Sequence, residues 1–166
     1  MIEIRDAAIE DLTFVHQIFN EILINTTATF EEEPYTFESW VEVYKSRQAM
    51  GFPFLIATIG DKVVGYGSYG AFRKASGYKI TAEHSLHVDK NFRGQGIGKK
   101  ILQELIYRAE ASGIENLVAA VDADNFSSVQ LHQKFGFQIA GEMKNIARKF
   151  SRDLTLVLLQ LKLNSR

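Results

Sequence analysis

The chain has 166 residues, 46% hydrophobic and 23% charged, with a net charge of −1 at pH 7 and no cysteine. This length and composition predict one soluble globular domain over 1–166, and the near-neutral charge argues against a broad nucleic-acid or anionic-membrane surface. The absence of cysteine excludes disulfides, cysteine-held metal sites and a covalent cysteine mechanism.

Residues 2–5 (Ile-Glu-Ile-Arg) alternate as a short strand rather than as a secretion signal, and no apolar run approaches the ~18 residues of a membrane span. The expected location is therefore the cytoplasm. Ile9, Leu12, Val15, Phe19, Ile22 and Leu23 then recur at helical spacing. A loop over 25–34 ends at Pro34, and Thr36 is the expected N-cap of a second helix to about residue 48. Apolar strands over 53–59 and 62–72 flank Gly60-Asp61, a hairpin signal, and another strand is expected over 78–88. Ile97, Ile101, Leu102, Leu105 and Ile106 mark a helix to about residue 111. Strand 115–121, helix 125–134, a strand from 137 and a strand over 154–163 complete the chain. The order β-α-α-β-β-β-α-β-α-β-β predicts an α/β (α+β) fold: a mixed, mostly antiparallel central sheet with helices on both faces.

The most informative stretch is Val88-Asp-Lys-Asn-Phe-Arg-Gly-Gln-Gly-Ile-Gly-Lys-Lys100. Gly94, Gly96 and Gly98 alternate between a strand and a helix, flanked by Arg93 and Lys99. Glycines let consecutive N–H groups turn inward, and a helix N-terminus adds unpaired donors and partial positive charge, so the stretch suits a phosphate or pyrophosphate. It is not a P-loop, because Arg93 stands where the first glycine is required and Lys100 follows Lys99. Nor is it a dinucleotide fingerprint, because the spacing is G-x-G-x-G and falls beyond mid-chain.

The pattern R-x-x-G-x-G, from Arg93 to Gly98, resembles the pyrophosphate loop of the GNAT superfamily of acyl-CoA N-acyltransferases. Asn125-Phe-Ser-Ser-Val-Gln-Leu-His-Gln-Lys-Phe-Gly-Phe137 resembles a second GNAT segment, with His132 where tyrosine is usual. Thr26 to Glu31 and Thr81 to Val88 are similar to the phosphinothricin/methionine sulfoximine acetyltransferase branch. The resemblance implies acetyl transfer from acetyl-CoA to the α-amine of a small amino-acid-like substrate, by a homodimer, without a metal.

It also implies residue roles. Leu86, His87 and Val88 offer backbone groups to the pantetheine amides; Arg93, Gly94, Gln95, Gly96, Ile97, Gly98 and Lys99 hold the pyrophosphate. Asn125 bonds the pantetheine arm, with Ser128 beside it. Arg73, Lys74 and Ala75 meet the acceptor's acidic group, Phe30 and Glu31 close its pocket, and His84 and Ser85 line it with Glu83.

An amine attacks a thioester only when neutral, so the site needs a proton acceptor. Glu83, an acid in the otherwise apolar and neutral run Ile80 to Leu86, is the expected catalytic base. His84 and His87 are alternatives, placed by strand alternation on opposite faces. His132, in the tyrosine position, is the expected acid for the leaving thiolate. The competing readings are an acetyltransferase for another amine (a protein N-terminus, a polyamine or an aminoglycoside) and a non-catalytic acyl-CoA-binding module.

Overall fold

The computed structural model describes residues 1–163; residues 164–166, the end of the expected 1–166 domain, lie outside the described residues. In chain order the elements are β1 (Ile2–Asp6), α1 (Leu12–Asn25), α2 (Phe37–Ala49), β2 (Phe54–Ile59), β3 (Lys62–Ala71) and β4 (Thr81–Val88). Then come α3 (Ile97–Ala111), β5 (Asn116–Asp122), α4 (Phe126–Lys134), β6 (Gln138–Lys149) and β7 (Arg152–Lys162). The strands form one seven-stranded sheet in the order β1-β2-β3-β4-β5-β7-β6, in which β4 and β5 are the parallel pair.

Alternation along the strands divides the core in two. Phe54, Ile56 and Tyr66 point to the face covered by α1 and α2, where they meet Val15, Phe19 and Trp40. Leu55, Ala57 and Tyr69 point to the other face, against Ile97, Ile101 and Leu105 of α3. Helix α1 thus buries one apolar stripe, as its spacing predicts. Ile9 departs from that prediction: residues Ile9–Asp11 form a tight 3-10 turn that leaves Ile9 exposed. Asp11 fixes the turn, accepting from Ala8 N at 2.7 Å and pairing with the Arg5 guanidinium at 2.7 and 2.9 Å.

The strand expected over 78–88 starts later, at Thr81. Residues Ser76–Ile80 instead make a 3-10 turn, closed by Tyr78 N donating to Ala75 O at 3.0 Å and by the Tyr78 ring packed edge-on to Phe72. Aromatic content alone reads as strand there, but the tyrosine serves the turn.

One irregularity of the sheet positions the site. β4 stays paired with β3 from Ala82 to Val88, but its parallel pairing with β5 stops at His84–Ala119. β5 runs on beside β7 through Asp122. The two strands therefore splay, and Ser85 to Val88 have no strand partner on the side that faces the gap.

Candidate active site

Two cavities open on this splay. One, of about 540 Å³, lies towards α1 and α2 and is floored by Glu83, His84 and Ser68. The other, of about 680 Å³, lies along the N-terminus of α3 beside Arg93, Gly96 and Lys99. They share Ala28, Leu86, His87, Asn125 and Ser128, so they meet at the unpaired end of β4.

The second cavity has the features a phosphorylated cofactor needs. Gly94 and Gly96 have φ of +76° and +81°, a left-handed conformation that favours glycine. Gly96 is the N-cap of α3, and the first-turn N–H groups of the helix are left free for an anion. Val88, Gly94, Ile97 and Gly98 line the cavity, and Lys134 from the end of α4 adds a third cation. Arg93 donates from Nε to Val88 O at 3.2 Å, which ties it to the strand. Asn125 caps α4 by accepting from Ser128 N at 3.2 Å, and Ser127 also donates to its Oδ1. Its amide N–H₂ group remains available to a ligand carbonyl. The unpartnered edge of β4 adds a place for an extended, amide-bearing arm. These residues fit acetyl-CoA.

The first cavity is lined with aromatic rings and polar atoms. Glu83 sits half-buried, and burial raises its carboxyl above the usual carboxylate range, with Arg73 and then Arg47 opposing that rise. His87 packs edge-on to Phe19 and beside Tyr66 on the same face; burial, and the Arg93 charge, push it down to about 4.

His84 faces the other way, as strand alternation predicts, and meets His132 of α4 with the Nε2 atoms 3.1 Å apart. The tautomers follow from a carbonyl. His132 Nδ1 lies 2.7 Å from Ser128 O, so it carries the proton and donates. In the neutral ring, His132 Nε2 then offers a lone pair, His84 Nε2 donates to it, and His84 Nδ1 is left as a buried acceptor without a partner. Both rings are buried, and burial depresses both, His84 to about 3. In this tautomer the His132 proton is held by Ser128 O, and its other nitrogen accepts from His84.

Other expectations separate as well. Phe30 and Ser85 line the first cavity. Phe30 lies in a loop held by Lys149 Nζ donating to Thr29 O at 2.9 Å and by Thr27 bonded to Asp122. Glu31 is exposed and, like Gln95, lies outside both linings. Arg73, Lys74 and Ala75 are exposed on the β3–β4 connection and line neither cavity. The Arg73 guanidinium instead lies over the Phe72 ring and donates to Phe72 O.

Trp40, Arg47 and Tyr66, which carry no assignment in the sequence motifs, do line the first cavity. The available signal was the spacing Trp40, Val43, Arg47 on one stripe of a helix. Among the described residues, the buried side-chain polar atoms without a partner are Trp40 Nε1, Arg47 Nε, Tyr66 OH and His84 Nδ1, and all four residues line this cavity. Each unmet group costs about 1–3 kcal/mol, and the four residues border one cavity although the atoms themselves are shielded from it.

Comparison with known proteins agrees with this geometry. Residues 13–137 match the acetyltransferase (GNAT) family. The L-methionine sulfoximine/L-methionine sulfone acetyltransferase of Pseudomonas aeruginosa PAO1 is 40% identical over 97% of this chain and 94% of its own. An N-acetyltransferase from Staphylococcus aureus Mu50 superposes with a TM-score of 0.97 at 38% identity, covering 99% of each chain. A phosphinothricin acetyltransferase from Sinorhizobium meliloti, solved in complex with acetyl-CoA, gives a TM-score of 0.95 at 32% identity over 98% of this chain and 89% of that one.

Proposed function

The chain belongs to the acetyltransferase (GNAT) family, and from that premise we propose that this acetyl-CoA-dependent N-acetyltransferase acts on the α-amine of a small amino-acid-like substrate of the methionine sulfoximine, methionine sulfone or phosphinothricin type. The observation that carries the acceptor is one cavity wall that holds both a carboxylate and a guanidinium, Glu83 and Arg47, with the hydroxyls of Ser68 and Ser85. Such a lining suits an oxygen-rich ligand that brings one amine. A polycationic acceptor would instead call for an acidic wall.

Acetyl-CoA supplies an activated thioester. The residues around it bind, orient and take up a proton. Arg93, Lys99, Lys134 and the α3 N-terminus fix the phosphates, while the free edge of β4 at Leu86 to Val88 and the amide of Asn125 align the arm. A bound thioester would lie where the two cavities meet, with the acceptor beside Glu83. Glu83 removes the ammonium proton, directly or through a water, and transfer follows in one ternary complex, with much of the rate arising from proximity and orientation. A thiol of ordinary acidity, near 8.5, leaves as thiolate around neutral pH without an acid catalyst. His132 accordingly acts as a positioning residue that fixes the His84 ring. The protein is read as one catalytic domain over 1–166, cytoplasmic and homodimeric. The exposed apolar side chains Ile139, Met143 and Ile146 on the edge strand β6 support self-association, which sedimentation equilibrium checks.

Free-thiol release from acetyl-CoA against amines of each class tests the acceptor. The base is tested by pH. A carboxylate that must be ionised loses activity as pH falls through its raised pKa, so kcat/KM should show an acid limb above the usual carboxylate range. Glu83→Gln should abolish that limb and lower turnover by roughly 10²–10⁴, with the acetyl-CoA KM near normal. An unchanged profile removes Glu83 as base. In the same profiles, an alkaline limb that vanishes in His132→Asn would return the acid role to His132.

A further inference from the structure

Helix α2 sends one charged side chain into the acceptor cavity. Trp40, Val43 and Arg47 lie three and four residues apart on its inner stripe, and all three line the cavity. The Arg47 guanidinium lies across the backbone of Gly70. A Cβ built on Gly70 would stand 2.2 Å from Nη1, 2.4 Å from Cζ and 2.9 Å from Nη2, so this approach exists only because residue 70 has no side chain. Gly70 pairs directly with Glu83 across β3 and β4. Residues paired in this way share a face, so the guanidinium and the Glu83 carboxylate look into the same space.

They do not form an ion pair, nor does the guanidinium pair with any other carboxylate among the described residues. Its Nε is buried without a hydrogen-bond partner. Burial alone disfavours the charge, and only the field of Glu83 opposes that. An arginine stays charged and holds a planar fork of donors suited to a carboxylate. Here the side chain that carries the fork is half-buried and borders the cavity. A cation and an anion on one face, close but unpaired, complement a zwitterion.

Resting on the amino-acid reading above, we propose that Arg47 is the receptor for the α-carboxylate of the acceptor, with Gly70 as its platform. The carboxylate docks on Arg47 and the amine turns to Glu83. This places the acceptor's anchor on α2 rather than at Arg73, whose guanidinium is outside the cavity. The enzyme then selects α-amino acids over amines that lack a carboxylate.

A matched pair of acceptors tests this: methionine sulfone and its carboxamide, in which the carboxylate is neutral. The readout is the ratio of their kcat/KM values by thiol release. Comparing that ratio between variants cancels the different basicity of the two amines. Wild type should favour the carboxylate. Arg47→Gln should lower kcat/KM for the carboxylate roughly 10–100-fold, the range for a charge-assisted hydrogen bond, mainly through KM. The carboxamide and the acetyl-CoA KM should change little. Arg47→Lys should restore part of the preference, since the charge returns without the fork. Gly70→Ala, which displaces the guanidinium and keeps its charge, should reduce the preference as well, and Arg73→Ala should leave it intact. Wild-type preference retained in Arg47→Gln overturns the Arg47 assignment and leaves the amino-acid reading standing. Equal losses on both acceptors make Arg47 merely structural and also overturn it. Turnover by wild type of carboxylate-free amines in preference to methionine sulfone overturns the amino-acid reading itself, and the carboxylate receptor with it.

Discussion

At the scale of single residues, the site turns on how charge is distributed around Glu83. Burial raises its carboxyl, and Arg73 is the larger of the two positive influences that hold the rise in check, ahead of Arg47. Arg73 thus acts on the Glu83 carboxyl from outside the cavity, through its field. Removing it withdraws stabilisation from the carboxylate, so the Glu83 pKa rises further. Arg73→Ala should therefore move the acid limb of kcat/KM to higher pH and leave the acceptor KM nearly unchanged. A large rise in acceptor KM with an unmoved limb would restore Arg73 as a contact residue. The sequence made Glu83 legible because an acid stands alone in an apolar strand. Arg47 was hidden because one arginine on a helix otherwise rich in Glu, Lys and Gln looks like a solvated face. Its meaning depends on Gly70, 23 positions away, and only the sheet register brings the two together.

At the scale of elements, the cofactor cavity depends on where α3 begins. Gly96 caps the helix at φ +81°, and the first turn that follows it lines the cavity through Ile97, Gly98 and Lys99. Alanine in that conformation costs roughly 1–2 kcal/mol, and Lys99 and the helix N-terminus would turn with the relaxing loop. Gly96→Ala should raise the acetyl-CoA KM up to roughly tenfold, since 1.4 kcal/mol is one decade. The acceptor KM should rise far less. A loss shared equally between both substrates would mean that the loop shapes the whole site rather than the donor half. These elements were legible almost throughout, because hydrophobic period and glycine spacing are local. The misread segment, Ser76–Ile80, is informative. Tyr78 and Ile80 fit a strand by propensity, yet Tyr78 packs on Phe72 and closes a turn. The splay of β4 from β5 was also illegible, since it reflects which neighbour each strand keeps.

At the scale of the whole molecule, the site and the stability of the fold meet in the buried histidines. His84 and His132 join β4 to α4 across the splay, where β-pairing has ended. His84 is held down to about 3 and His87 to about 4, chiefly by burial. In the unfolded chain both return to an ordinary value near 6.5. As pH falls below that value, the unfolded chain takes up protons that the folded chain refuses. Stability is therefore complete above about 6.5 and declines towards 4, at up to ~1.4 kcal/mol per pH unit for each such histidine. Glu83 works in the opposite sense, because its raised pKa gives the folded state the extra proton. The contribution of His84 is thus isolated by a difference. Urea unfolding of wild type and His84→Asn at pH 7, 6 and 5 should give a shallower decline in the variant, by up to one proton's worth of slope. Parallel declines would mean that His84 takes up a proton as readily in the folded chain as in the unfolded one. The histidine pair could then gain a charge as pH falls through about 6.5, and burial would not be what keeps it neutral.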